Sequence, residues 1–179
     1  EEKHISVYEN KIYYYSGVNR ETVVELNHKL SELEAKHLTV SNVLEIDPPP
    51  IRLFINSGGG SITAGIASMD TISRCNVPVY TFVDGFCASA ATFLSVVGKK
   101  RFMSKNSYML IHQLSSQLWG KYSEIEDEKK NLDLMMETIR TVYTEHTKVP
   151  TEELDEILKH DLLWDAKKCL EYGLVDEII

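Results

Sequence analysis

A serine, a histidine and a glycine turn occur at positions from which they could act on one bond. Ser89 follows the apolar run Val77–Val83 and a turn at Gly85, and small and apolar residues continue after it. A helix that begins at Ser89 would direct free backbone N–H groups and its positive dipole end toward the serine. The stretch alone allows a nucleophile or a helix N-cap, and capping is the commoner use of serine.

The glycine turn Gly58–Ser61 follows the apolar segment Ile51–Ile55 and precedes a helical pattern. Its bare N–H groups could hold a phosphate, but no lysine follows in the Walker spacing and the turn is not G-x-G-x-x-G. A tight turn is the commonest meaning of such glycines. An oxyanion hole, in which N–H groups stabilise developing negative charge, is the other interpretation.

His112 directly follows the apolar segment Tyr108–Ile111. In an open α/β sheet the carboxyl ends of parallel strands meet at one edge, where ligands bind. His112 is therefore expected beside Ser89 and the glycine turn, where a neutral imidazole could accept the proton of the serine hydroxyl.

A third group is needed to orient the imidazole, and the spacing does not select it. Asp165 suits a helix N-cap and Asp176 a salt bridge. Asp84 is close to Ser89 in sequence but need not face the histidine. The apolar residues after Asp161 would desolvate it. Four aspartates remain open at this point: Asp84, Asp161, Asp165 and Asp176.

Strand and helix patterns alternate along the chain, with continuous apolar strands, which predicts a mainly parallel sheet flanked by helices. The predicted strands are Lys11–Tyr15, Ile51–Ile55, Val79–Val83, Arg101–Met103, Tyr108–Ile111 and Leu174–Ile179. The predicted helices are Thr22–Lys36, Ile62–Ser73, the helix that begins at Ser89, Tyr122–Thr147, Glu152–Lys159 and Ala166–Tyr172.

Two segments of this pattern are unusual. Lys36–Pro50 is irregular and ends in three prolines, which predicts a loop. Tyr122–Thr147 is long, charged over most of its surface, and has only a narrow apolar stripe. Such a helix either projects toward a partner, such as another copy of the chain, or is a solvated surface helix.

The bulk properties limit the function classes. The 179 residues suit one domain (1–179), and 43% hydrophobic residues are ordinary for a globular protein. A net charge of −8 argues against nucleic acid and anionic membranes as partners. From the polar start Glu1–His4 we expect no signal segment, and no apolar run in the sequence approaches the length of a membrane span. Three widely spaced cysteines favour a reducing compartment, by default the cytoplasm or an organelle of similar redox poise.

Four motifs occur in the order found in a known family. They are INSGGGSITAG (Ile55–Gly65), GFCASAATFL (Gly85–Leu94), NSYMLIHQ (Asn106–Gln113) and HDLLWDAKKCLEYGLVDEII (His160–Ile179). With them the chain resembles the proteolytic subunit of the Clp protease, the ClpP family of self-compartmentalised serine peptidases. The resemblance extends over most of the chain from Ile51 onward.

The resemblance implies a ClpP/crotonase-like α/β fold and a Ser–His–Asp peptidase. The matching positions assign the nucleophile to Ser89, the base to His112 and the orienting aspartate to Asp161. The implied oxyanion donors are the backbone N–H groups of Gly60 and Ala90.

The implied assembly is a homo-oligomer of two stacked heptameric rings, with the helix at about 122–147 as the handle between them. The implied partners are an AAA+ unfoldase of the Clp type and unfolded polypeptide. ATP is used by the unfoldase, so no cofactor is expected in this chain. The implied location is the cytoplasm, an organelle stroma or matrix, or a host cytoplasm if the source is viral.

The chain also departs from the family pattern. Gly58 stands where the family has proline, Ala90-Ala91 where it has Met-Gly, and Leu114 where it has proline. The long Lys36–Pro50 segment and the short region before Lys11 also differ. Three alternatives remain. One is a catalytically silent ring subunit of the same fold, although such relatives lose triad members and all three are present here. The others are a crotonase-type acyl-CoA enzyme, which shares the fold, and a relative of signal-peptide peptidases, which would need a Ser/Lys dyad.

Overall fold

Helices and strands alternate along residues 4–179, the part of the chain that a computed structural model describes. The polar residues Glu1–Lys3 lie outside the described range. The strands are β1 His4–Tyr8, β2 Lys11–Tyr15, β3 Ile51–Ser57, β4 Val79–Ala88, β5 Lys100–Met103, β6 Tyr108–Leu110, β7 Trp164–Asp165 and β8 Glu177–Ile178. The helices are α1 Arg20–Leu44, α2 Ile62–Arg74, α3 Ala91–Val96, α4 Tyr122–His146, α5 Thr151–Leu158 and α6 Ala166–Glu171.

The strands form one sheet in the order β1-β2-β3-β4-β5-β8, with β6 paired to β4 and β7 paired to β6. The β1–β2 and β6–β7 pairs are antiparallel, and the other pairs are parallel. The predicted mainly parallel sheet flanked by helices is therefore confirmed.

The two faces of the sheet carry different side chains, fully buried on one face and mostly half-buried on the other. Aliphatic residues of β3, among them Leu53 and Ile55, are fully buried in one cluster with α1 residues such as Leu26. The opposite face has a row of stacked rings from Tyr13 through Phe54 and Phe82 to Phe102, with centroids 4.5–5.0 Å apart. Cross-strand ring pairs of this kind stabilise the sheet beyond the area that they bury.

A bulge in β4 divides the sheet. Tyr80–Val83 pairs with β5, whereas Phe86–Ala88 pairs with β6, and the register to β3 shifts between the two halves. Gly85 lies in the left-handed region with φ 82°, and its N–H donates to Ser107 Oγ at 2.7 Å. The strand therefore continues to Ala88, and its predicted end at Val83 is wrong because the turn signal at Gly85 is a bulge within the strand.

Helix α1 is longer than predicted. It continues through Leu44 into the predicted loop Lys36–Pro50, and Glu45 ends it with φ 52°. His37 is buried there, and its Nδ1 lies 2.6 Å from the carbonyl oxygen of Pro49. The proline segment thus packs back onto the helix, which a local pattern could not indicate.

The ends of the chain differ from the predictions in smaller ways. His4–Tyr8, for which no strand was predicted, pairs with β2 as a hairpin. The last strand is shorter than the predicted Leu174–Ile179, since only Glu177–Ile178 pairs with β5. Helix α4 has nearly the predicted bounds. Among residues 4–179, no helix combines the length and the apolar character needed to cross a membrane.

An ion pair joins the C-terminal strand to the rest of the fold. Arg101 donates to Asp176 through Nη2 and Nε at 2.6 and 3.0 Å, and through Nη1 to the carbonyl oxygen of His146 at 2.5 Å. These hydrogen bonds from Arg101 lower the pKa of Asp176 below its ordinary value. The carboxylate therefore stabilises the folded state above the unfolded-state pKa of about 3.9, and this contribution is lost as the pH falls through the lower folded-state pKa.

The change Asp176→Asn is expected to lower the free energy of unfolding at pH 7 by about 1 kcal/mol. Water weakens the pair because 47% of the Asp176 side chain is exposed, which keeps the expected effect small. The difference from wild type should shrink in urea unfolding below about pH 4. Asp127→Asn, which removes an exposed pair with Lys130, is the control and should change little. An Asp176→Asn deficit that persists undiminished at pH 2 would contradict this account.

Candidate active site

Ser89 lies between the end of β4 and the start of α3. Its φ of 55° places it in the left-handed region, which residues with a side chain rarely adopt. Helix α3 begins after Ala90 and has no side-chain N-cap bond, so the N-cap interpretation of Ser89 is wrong. Instead, Ser89 Oγ lies 2.8 Å from Nε2 of His112.

His112 follows the end of β6, as the sequence predicted. The pairing of β6 with the second half of β4 brings Leu110 beside Ala88, and the N–H of Ser89 donates to the carbonyl oxygen of Leu110 at 2.9 Å. The imidazole is therefore held at the carboxyl ends of two neighbouring strands. About a quarter of its side chain is exposed (26%), which leaves room for a substrate to approach.

Asp161 completes a chain of polar groups, since its Oδ1 lies 2.9 Å from His112 Nδ1. Two long-range contacts place it there. The N–H of Gln113 donates to the carbonyl oxygen of Leu158 at 2.7 Å, and Trp164 pairs with Met109 across β6–β7. The segment that contains Asp161 is thus fixed to β6 on both sides.

The other three candidate aspartates have different partners. Asp84 accepts a hydrogen bond from Tyr15, and burial together with this carboxylate raises the pKa of the Tyr15 phenol. Asp165 caps α6 by accepting from the N–H of Lys168 at 2.9 Å, as predicted. Asp176 binds Arg101. Of the four aspartates that the spacing left open, Asp161 is the one that contacts the imidazole.

The glycine turn packs against the turn Ala88–Ala90 (the elbow), which joins β4 to α3. Gly59 has φ 92°, and a Cβ there would lie 2.6 Å from the carbonyl oxygen of Ala88 and 2.7 Å from Cβ of Ser89. Only glycine permits this approach. At Gly58, by contrast, a Cβ would meet no atom of another part of the chain within 4 Å, so this position of the turn has space for a side chain.

The backbone N–H groups of Gly60 and Ala90 lack turn and loop hydrogen bonds to other backbone groups in the described residues, so each could donate to a substrate. Val18 and Gly60 form an isolated β-bridge, in which Val18 donates to the carbonyl of Gly59 and accepts from the N–H of Ser61. The bridge therefore does not use the N–H of Gly60. Ala90 precedes the first turn of α3, so its N–H has no intrahelical acceptor. In the part of the chain that the structure describes, neither N–H takes part in a turn or loop hydrogen bond between backbone groups.

This arrangement is suited to nucleophilic catalysis. A hydroxyl, an imidazole and a carboxylate lie in sequence within hydrogen-bonding distance, and the backbone N–H groups of Gly60 and Ala90 belong to the adjoining turns. Across residues 4–179, no three His, Cys, Asp or Glu side chains are grouped as metal ligands would be.

Comparison with known proteins agrees with the motifs. The model of the Clp protease family matches residues 6–179. The chain belongs to the Clp protease family. A solved structure of a mutant of ClpP1 from Listeria monocytogenes is similar to it, with 30% sequence identity and a TM-score of 0.81. The match covers 95% of this chain and 91% of that one.

Family membership confirms the predicted ClpP-like fold.

Sequence analysis did not identify Thr92 as part of the site. Its hydroxyl donates to the carbonyl oxygen of Ser89 at 2.7 Å, and it lies fully buried within an apolar run. The one available signal was a hydroxyl in a segment that otherwise forms the core, three residues after Ser89.

Proposed function

We propose that the chain is a serine endopeptidase, the proteolytic subunit of an ATP-dependent Clp protease. The observation that supports this best is the line of contacts from Asp161 through His112 to Ser89, at 2.9 and 2.8 Å. Membership of the Clp protease family supports the peptidase class.

In the proposed mechanism, His112 acts first as a base. Asp161 can only accept, so the proton of the neutral imidazole resides on Nδ1 and Nε2 is free to take the proton of Ser89. Oγ of Ser89 then attacks a peptide carbonyl carbon, and Asp161 stabilises the imidazolium. His112 next protonates the leaving amine as the peptide C–N bond breaks, and an acyl-enzyme remains on Ser89. His112 then takes a proton from water, which attacks the ester carbonyl. The bond to Ser89 Oγ breaks, His112 returns the proton to Oγ, and the carboxylic acid product leaves.

The N–H groups of Gly60 and Ala90 are the proposed donors to the oxyanion of the tetrahedral intermediate. Each donor of this kind contributes roughly 3 kcal/mol to transition-state stabilisation in known hydrolases. The close packing of Gly59 on Ser89 supports this role, since it holds the glycine turn beside the elbow.

The proposed substrates are short peptides and unfolded polypeptide, hydrolysed inside a chamber of two stacked heptameric rings. Helix α4 would act as the handle between the rings. Its N-terminal half exposes Tyr122 and Ile125, next to a fully exposed Trp119, which supports contact with other copies. An AAA+ unfoldase would supply substrate and use ATP, so this chain itself would need no cofactor. The proposed location is the cytoplasm or an equivalent reducing compartment.

A fluorophosphonate probe tests the proposal on the assembled protein. We expect one phosphonyl group per active chain, mapped by peptide mass spectrometry to Ser89, with loss of fluorogenic peptide hydrolysis in proportion to labelling. Protein unfolded in urea should take no label, because an isolated serine hydroxyl is a weak nucleophile. If the assembled protein neither takes label nor hydrolyses peptide, the proposed function is wrong, and the result favours the silent ring-subunit alternative.

A further inference from the structure

The peptide bond between Ser89 and Ala90 is held by two hydrogen bonds to one residue. The carbonyl oxygen of Ser89 accepts from the N–H of Thr92 at 2.9 Å and from Oγ1 of the same residue at 2.7 Å. Ser89 itself has φ 55°, a conformation that costs free energy and persists only when its surroundings enforce it. The two bonds to Thr92 provide such enforcement.

A second buried hydroxyl supports Thr92. Oη of Tyr143, on α4, lies 2.7 Å from Thr92 Oγ1, and both side chains are almost completely buried. The directions of these bonds follow from counting protons. A carbonyl oxygen only accepts, so the single hydroxyl proton of Thr92 goes to Ser89, and Tyr143 must be the donor to Thr92. Burial raises the pKa of Tyr143, so its phenol keeps this proton at physiological pH.

Peptide planarity transmits this arrangement to Ala90. In a trans peptide the C=O and N–H groups point in opposite directions, and the described chain has no cis bond. Fixing the carbonyl of Ser89 toward Thr92 therefore turns the N–H of Ala90 away from Thr92. The Ala90 nitrogen lies next to the glycine turn, 3.1 Å from the position of a Cβ on Gly59.

We propose that Thr92 and Tyr143 are positioning residues that orient the N–H of Ala90 toward the oxyanion of the transition state. This inference rests on the proposed function. It goes further by assigning catalytic importance to two buried hydroxyls that touch neither the substrate nor the imidazole. The competing explanation is that the two hydroxyls only stabilise the packing of α3 on α4.

Four variants of the full chain separate these explanations: Thr92→Val, Thr92→Ser, Tyr143→Phe and the double variant Thr92→Val/Tyr143→Phe. Thr92→Val keeps the shape but removes the hydroxyl, and it leaves the buried phenol of Tyr143 without its acceptor. The double variant removes both groups and so should recover the thermal unfolding midpoint. Thr92→Ser is the conservative variant: it keeps the hydroxyl and should therefore restore kcat and aldehyde affinity relative to Thr92→Val.

The readouts are kcat, KM, the inhibition constant of a peptide aldehyde, the unfolding midpoint and the native mass of the assembly. Removing an oxyanion donor lowers kcat about 10²–10³-fold, so misorienting one should cost about tenfold. We expect Thr92→Val to lower kcat about tenfold at unchanged KM. It should weaken the aldehyde, whose hemiacetal bears the oxyanion, by a similar factor. Tyr143→Phe should lower kcat about two- to threefold, since Thr92 still donates its own proton to Ser89 and loses only the hydrogen bond from Tyr143.

The double variant gives the decisive comparison. The proposal requires its kcat to stay low while its unfolding midpoint returns to that of wild type. It is overturned if kcat recovers together with stability, or if Thr92→Val has wild-type kcat and aldehyde affinity while wild type is active. If wild type neither hydrolyses peptide nor takes the fluorophosphonate label, the proposed function fails and the positioning role fails with it. By contrast, recovery of kcat in the double variant, or wild-type kcat and aldehyde affinity in Thr92→Val, overturns the positioning role alone. Should Thr92→Val not fold, wild-type kcat and aldehyde affinity in Tyr143→Phe would overturn the role.

Discussion

Ser89→Ala is expected to lower kcat for peptide hydrolysis about 10⁶-fold while leaving the fold and the assembly intact. The substitution removes Oγ, the atom that His112 contacts at 2.8 Å and the only proposed nucleophile. Alanine occupies less space than serine and makes no clash at the elbow, and the bonds that hold the Ser89 carbonyl use backbone and Thr92 atoms. The measurement is turnover of a fluorogenic peptide, with native mass and thermal unfolding measured on the same sample.

Ser95→Ala is the matched control for this substitution. Ser95 is a buried serine of α3, and within the described residues its Oγ has no hydrogen-bond partner. Its loss should therefore leave both stability and turnover close to wild type. If Ser89→Ala keeps turnover comparable to that of Ser95→Ala, Ser89 is not the nucleophile.

The fold was predictable to the extent that local pattern determines it. Continuous apolar strands alternating with helices predicted the parallel sheet, and the apolar segments at Ile51 and Tyr108 became β3 and β6. Helix α1 was predicted too short because the Lys36–Leu44 segment is poor in regular apolar spacing. Its helical state depends on contacts made after the chain turns back, such as that of His37 with Pro49.

The bulge in β4 illustrates a second limit. A glycine after an apolar run predicts the end of a strand, but at Gly85 the strand bends and continues. What keeps it in the sheet is its neighbour strands, since Ser107 binds the N–H of Gly85 and Asn56 binds the carbonyl of Asp84. These bonds join residues far apart in sequence, which no local pattern reveals.

The sequence could place two residues of the candidate site but not the third. Ser89 and His112 could be placed at one edge of the sheet because each follows a strand and parallel strands end together. Asp161 follows a helix, so nothing in its spacing indicated its distance from His112, and only the resemblance selected it. Its position depends on the β6–β7 pair and on the Gln113–Leu158 bond, both of which require the folded chain.

Asp161→Asn is expected to lower kcat about 10³–10⁴-fold, the second largest effect. The carboxylate accepts from Nδ1 of His112 at 2.9 Å and so keeps the proton off Nε2. An amide can instead donate to Nδ1, which favours the tautomer with a proton on Nε2, and that nitrogen can no longer take the proton of Ser89. We include the smaller loss of 10³-fold because 78% of the Asp161 side chain is exposed in the single chain, so water weakens its interaction with His112.

Asp47→Asn is the control for charge, because Asp47 is exposed and precedes β3, at the opposite end of the sheet from Ser89. Both variants lose one negative charge, so a general electrostatic effect on substrate binding would appear in both. The proposed role predicts that only Asp161→Asn lowers kcat and slows fluorophosphonate labelling, with KM and unfolding unchanged. A kcat within threefold of wild type would show that Asp161 does not orient His112, because an imidazole in the wrong tautomer cannot sustain that rate.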